Sequence, residues 1–167
     1  MRRALLLAAA AAASAGGARV ASSTPSSAAS FFATPLKAVV GASQDRDKFG
    51  NKVLRTYLEH KMAAVPINKK TLSIEGLACV PSLQDLRATL SAANAVASSF
   101  DQVGVSIITP PGVTKLILQE GKELGIKHFL LQPGTYDAIT DEFIKTEMSS
   151  ANIVKSCVMV ELGFSEH

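Results

Sequence analysis

A chain of 167 residues is long enough for one domain with a sizeable core. Its net charge of +3 matches the three arginines near its start (Arg2, Arg3 and Arg19), so the remainder is neutral and gives no basic surface that would argue for nucleic acid. Aromatic residues make up 5% with no Trp, which weakens base stacking; Cys79 and Cys157 lie far apart without CxxC or His spacing and read as two reduced, largely buried thiols.

Residues 1–35 contain no acidic residue, the first being Asp45. Arg2 and Arg3 precede a Leu/Ala run, and a Ser/Thr/Pro/Ala-rich stretch follows. This composition describes a targeting presequence or a disordered extension outside the fold. Its acid-free, Arg- and Ser-bearing character fits a mitochondrial presequence. The compact Leu/Ala run with small residues at 14–18 also fits a secretory or plastid leader, and an uncleaved cytoplasmic tail is the remaining alternative. No other stretch approaches the roughly 18 apolar residues that a membrane span needs.

After the leader, apolar runs alternate with amphipathic stretches. Residues 36–40 form a short apolar strand between Pro35 and Gly41. Residues 50–60 are helical, with Val53, Leu54, Tyr57 and Leu58 on one face and His60 at the end, where a cation suits the dipole. Residues 63–67 read as a second strand and 73–79 as a short third one around Gly76. Ser82 starts a short helix with Asp85 as its capping partner. Residues 88–100 fit either a helix or a loose insertion. Residues 103–109 read as a buried strand, 113–124 as a helix stopped by Gly125, 128–131 as a strand, 137–149 as a helix and 152–160 as a final strand. The alternation predicts an α/β, Rossmann-like fold: a doubly wound, mostly parallel sheet of five or six strands with helices on both faces.

In such a sheet, ligands bind beyond the carboxyl ends of the strands. Four loops lie there. In the first, Gly41 permits a sharp turn, Ser43 offers a hydroxyl, and Gly50 and Asn51 open a helix whose free N–H groups attract phosphate. Only Gly41 matches the dinucleotide fingerprint G-x-G-x-x-G, so an ordinary strand-to-helix turn is the competing reading. The second loop, "VPINKK", has Asn68, Lys69 and Lys70 where an NAD-binding domain places an acid. This disfavours NAD and favours a nucleotide with an extra ribose phosphate, NADP or coenzyme A (CoA). The third loop carries Thr109, Pro110 and Pro111, and the fourth Gln132, Pro133 and Gly134; both also fit plain structural turns. His60 and His128 lack a partner at catalytic spacing, and no metal-ligand spacing is present.

The stretches "VVGASQDRDKFGNKVLRTYL", "VPINKK", "IEGLACVPSLQDL", "ITPPGVTKLILQEGKELGIKHFLLQPGT" and "IVKSCVMVE" together resemble the small stand-alone CoA-binding-domain proteins. Their fold resembles the nucleotide-binding domain of the succinyl-CoA synthetase alpha subunit. The resemblance implies a CoA-binding Rossmann-like domain over 36–162, with 163–167 as a tail, that holds the adenosine diphosphate part of CoA or an acyl-CoA. It implies that Gly41, Ala42 and Ser43 lie on the phosphate loop, with Phe49, Gly50 and Asn51 continuing it into the helix. It implies that Pro66, Asn68, Lys69 and Lys70 lie near the adenosine and its phosphates, and that Thr109, Pro110, Pro111, Gln132, Pro133 and Gly134 form the remaining turns. Lys69 stands where the family has a proline. The family's closing "D-R-C-P" is reduced to Lys155-Ser156-Cys157-Val158. The synthetase's phosphorylated histidine belongs to another domain, so its ligase chemistry does not carry over. The expected role is a non-catalytic CoA-binding module, with a protein partner or a homo-oligomer possible. The alternatives are an NADP-dependent oxidoreductase and an interaction protein with a decayed nucleotide site.

Overall fold

Short runs of β-branched and small apolar residues bounded by Gly, Pro or Asn become strands in the computed structural model, which describes residues 27–164. The main-sheet strands are β1 (Leu36–Val40), β2 (Ala63–Ile67), β5 (Val103–Ile107), β6 (His128–Leu131) and β7 (Asn152–Lys155). Two small strands, β3 (Ser73–Ile74) and β4 (Leu77–Ala78), form a separate hairpin. The helices are α1 (Ser27–Phe32), α2 (Phe49–Glu59), α3 (Leu86–Leu90), α4 (Pro111–Glu123), α5 (Ala138–Glu147) and α6 (Val158–Leu162).

Among the described residues the main sheet has five strands in the order β2-β1-β5-β6-β7, all parallel. The chain steps from β1 to β2 on one side and then crosses back to β5 on the other. The topological switch point therefore lies between the carboxyl ends of β1 and β5. Strand alternation directs Ala38, Val40, Ile67, Val105, Ile107, Phe129 and Leu131 to one face, under α3, α4 and α5. Val39, Leu130 and Val154 point to the other face, under α1, α2 and α6. The sheet is thus doubly wound, as its composition predicts. Tyr57 on α2 and Ser106 on β5 are buried and share a hydrogen bond of 2.5 Å between their hydroxyls, which pins helix to sheet. His60 caps the end of α2 and its ring Nδ1 lies 2.9 Å from Thr56 O.

Several boundaries differ from those read in the sequence. Residues 27–35 belong to the fold rather than to an extension. Phe31 is fully buried, and α1 lies over β6 and β7. Gly104 permits this approach: a Cβ there would come within 2.6 Å of Thr34 Oγ1 and 3.0 Å of the Phe31 ring. The readings of residues 1–26, including the leader, lie outside the described residues. The expected third strand, 73–79, is instead a tight antiparallel hairpin, because Glu75 and Gly76 both take positive φ (48° and 79°) and reverse the chain. Residues 88–100 are helical to Leu90 and then run as loop and turns until a short 3-10 helix begins at Phe100. The last strand stops at Lys155 rather than 160, since Val158 turns into the core and starts α6. The presumed tail begins packed, with Phe164 under the Arg55 guanidinium at 5.1 Å. Both cysteines are unpaired and half-buried, less enclosed than expected, and burial pushes the Cys79 thiol up.

Candidate functional site

The loops after β1, β2 and β5 meet at the switch point because two glycines let backbone touch backbone. Gly41 has φ +92°, and a Cβ on it would lie 2.3 Å from Ile108 O. A Cβ on Gly50 would lie 2.0 Å from Gly41 O. Neither position accepts a side chain without moving the loop. The start of α2 is thereby pressed onto the end of β1. Helix α2 has Lys48 at its N-cap, with no side-chain cap bond and no acidic residue in its first turn. The N–H groups of Phe49 and Gly50 have no acceptor within the helix, and the dipole there favours an anion.

The polar side chains of the expected site divide into two groups. One group holds the loops together. Asn68 donates to Ala42 O at 2.9 Å and accepts from Lys70 N–H at 2.7 Å and Thr71 N–H at 3.2 Å. It thereby joins the second loop to the first. Asn51 is fully buried, donates to Ser43 O at 2.8 Å and to Glu75 Oε1 at 3.0 Å, and accepts from Arg55 Nε at 2.9 Å. Glu75 also lies 3.4 Å from Arg46 Nε, and Gln44 Nε2 donates to Ser73 O at 3.1 Å, so the β3–β4 hairpin straps the loop after β1. Thr114 donates to Thr109 O and Pro110 O at 3.1 and 3.2 Å, and its hydroxyl lies 2.8 Å from that of Thr109. Thr109 is therefore engaged within its own turn. Pro66 is buried inside β2, where its carbonyl accepts from Val80 N–H at 3.0 Å.

The other group remains available to a ligand. Ser43 Oγ accepts from Asp45 N–H at 3.1 Å, which leaves its O–H to donate elsewhere. Lys69 and Lys70 are exposed, and among the described residues no ion pair holds either ammonium. The 43–49 loop itself carries Asp45 and Asp47 against Arg46 and Lys48, so its side chains are balanced. The positive potential that this edge offers an anion comes from the backbone donors of α2 and from Lys69 and Lys70.

Next to Lys69 lies a cleft of about 220 Å³, lined among others by Ile67, Pro81, Leu83, Val113 and Ile117. Its floor is apolar and its position is the switch point. Pro81, Leu83 and Ile117 carry no chemistry that sequence reasoning would single out; only the fold brings them to Asn68 and Lys69. A larger open depression of about 570 Å³ lies at the opposite edge of the sheet, among Arg87, Phe100 and Lys127. No loop from a strand's carboxyl end reaches it, and the Arg87 guanidinium sits over the Phe100 ring at 5.5 Å.

The fourth loop is built differently. Asp137 caps α5, accepting from Thr140 N–H at 2.8 Å and Thr140 Oγ1 at 2.9 Å, and these bonds hold its carboxyl below the ordinary carboxylate range. That helix end is satisfied from within. Pro133 and Gly134 are exposed on the turn, and Gly134 has φ +87°. Gln132 is buried, and among the described residues its Nε2 has no hydrogen-bond partner.

The family described as "CoA binding domain" matches residues 37–163. A conserved hypothetical protein from Pyrococcus furiosus is 25% identical with a TM-score of 0.58, over 75% of this chain and 97% of that one. A hypothetical protein from Pyrococcus horikoshii OT3 is 25% identical with a TM-score of 0.59, over 77% and 80%. A protein from Thermus thermophilus, at 23% identity, has a TM-score of 0.62 over 80% and 92%, a likeness of fold alone. No curated protein matches the chain.

Proposed function

The chain belongs to the CoA binding domain family, and on that premise we propose that it binds CoA or an acyl-CoA by the adenosine diphosphate part, as a non-catalytic module. One observation carries this reading: the uncapped N-terminus of α2 stands at the switch point, and the next loop carries two exposed lysines without ion pairs among the described residues. Phosphates fit the N–H groups of Phe49 and Gly50 and the Ser43 hydroxyl. Lys69 and Lys70 suit the extra phosphate on the ribose. The apolar cleft by Ile67, Leu83, Val113 and Ile117 suits the flat face of adenine. The non-catalytic role is supported by how Asn51, Asn68, Thr109 and Thr114 are engaged: each holds a loop in place. We further propose a mitochondrial destination, tested by imaging residues 1–35 fused to a fluorescent protein.

The test of binding is a thermal-shift titration of the full chain with CoA, acetyl-CoA, NADP and NAD, repeated on Lys69→Ala plus Lys70→Ala. A ligand at 100 times its dissociation constant stabilises by about 2.7 kcal/mol, a shift of several degrees. The expected result is a shift with CoA that is lost or strongly reduced in the double variant. A flat response to CoA, or saturation by NADP alone, overturns the proposal.

A further inference from the structure

Gln132 follows β6 and is 4% exposed. Its backbone is held on both sides: its N–H donates to Ile107 O at 3.2 Å, and its carbonyl accepts from Thr135 N–H at 3.1 Å and Thr135 Oγ1 at 2.7 Å. Its side chain is not. Among the described residues, Nε2 of Gln132 is a buried polar side-chain atom without a hydrogen-bond partner. Burying a donor unpaired is costly, and folds retain such groups where something else supplies the acceptor. Elsewhere in this core the buried polar side chains are paired, as Lys37, Asn51, Ser106, Thr135 and Thr140 show.

The place of this donor is informative. Leu130 belongs to the cluster under α2 and α6, while Phe129 and Leu131 belong to the opposite one. Continued alternation puts the Gln132 side chain on the face of α2. That is the face on which the uncapped end of α2 stands. Only β5 separates β6 from β1, a lateral reach of roughly 10 Å. A group whose phosphates sit at α2 can therefore extend across β5 to Gln132.

The chemistry of the partner follows from the donor. A carboxamide has both an N–H and a carbonyl, is uncharged, and pairs best with another amide. A phosphate at this position would call for a cation. CoA carries amides in the pantetheine arm, which leaves the diphosphate on the side away from adenosine. We infer that Gln132 pairs with an amide of that arm, and that it selects CoA over nucleotides that share only the adenosine diphosphate. This rests on the binding reading above.

The test is calorimetric titration of the full-length protein with CoA and, separately, with ADP. In Gln132→Met, close in size but without the amide, affinity for CoA falls about tenfold, the effect of one hydrogen bond left unmade, and affinity for ADP does not change. The melting temperature of the ligand-free variant stays level or rises, because an unsatisfied donor has been removed. Gln132→Leu gives the same pattern by a second shape. Equal weakening of CoA and ADP, unchanged CoA affinity, or a clear fall in ligand-free melting temperature each overturns the inference. Failure of the wild type to bind either compound overturns the binding reading as well, and so is told apart from failure at Gln132 alone.

Discussion

The two edges of the parallel sheet treat their polar groups in opposite ways. At the amino edge, Lys37, Thr34 and Asn152 find their partners within the chain. Lys37 is buried on β1, and its Nζ donates to Phe32 O and Thr34 O, the carbonyls at the end of α1. Thr34 Oγ1 donates to Phe31 O at 2.8 Å, and Asn152 Nδ2 donates to Ser27 O at 2.7 Å. At the carboxyl edge, the loops are cross-linked by Asn51 and Asn68, yet among the described residues donors are left over on α2, on Lys69 and Lys70, and on Gln132. Helix α5 shows that this is no general feature of that edge, since Asp137 caps it. On the binding proposed above, these donors are the ones that the ligand meets.

The largest effect tests the amino edge as pure structure. Phe31→Ala empties a fully buried site and should cost about 3–5 kcal/mol in urea unfolding, with CoA affinity of the folded fraction unchanged. Loss of affinity in the folded protein would break the division between the edges.

Next comes the charge on Lys37, whose pKa burial lowers from 10.5 to about 8. Below pH 8 both folded and unfolded states carry the proton, and the cost of burying the cation is fully present. Between about 8 and 10.5 the folded state has released it while the unfolded state has not. Stability should therefore rise with pH across this window, by up to about 3 kcal/mol. The rise is read as the difference between wild type and Lys37→Met in urea titrations at each pH. A flat difference would mean that Lys37 stays charged in the core.

At the carboxyl edge, Gly50→Ala sets a Cβ against Gly41 O and should cost about 1–3 kcal/mol and abolish CoA binding. Gly134→Ala meets nothing within 4 Å. It should cost only the strain of positive φ, about 1 kcal/mol, and leave the α2 end intact for ADP. Equal effects of the two variants on ADP binding would show that the phosphates are not held at α2.

The smallest effect is at α5. Asp137→Ala should lower the melting temperature modestly without altering CoA affinity. The carboxyl has a depressed folded pKa, so its contribution is present above the ordinary carboxylate pKa and fades as pH falls through the folded value. The variant and wild type should thus converge in acid. A drop in CoA affinity would place the ligand at α5 as well.

Much of the fold could be read from local pattern. The five main strands announce themselves as apolar runs, and α2 by its apolar face, because period and composition act over a few neighbouring residues. Two of the least legible parts depend on distant partners. Residues 27–35 share the acid-free composition of residues 1–26, and Gly104 and Lys37, far from or beyond that stretch, make α1 part of the core. Glu75 and Gly76 reverse a stretch that alternation alone reads as one strand.

The same division runs through the site. By itself the sequence determined an α/β chain, loops of Gly, Ser, Asn and Lys at the strand ends, and a motif order that resembles CoA-binding proteins, since each of these is written in adjacent residues. Only the tertiary structure decided which of those residues are still free to bind. Asn68 and Thr109 read as groups facing outward from their loops, and the fold gives each a partner within the chain, Ala42 O and the Thr114 hydroxyl. Gln132 reads as a turn residue until its side chain is buried, without a partner among the described residues. A hydrogen-bonding group carries the same potential in any sequence; whether a neighbour has already taken it is settled by which distant backbone folds against it.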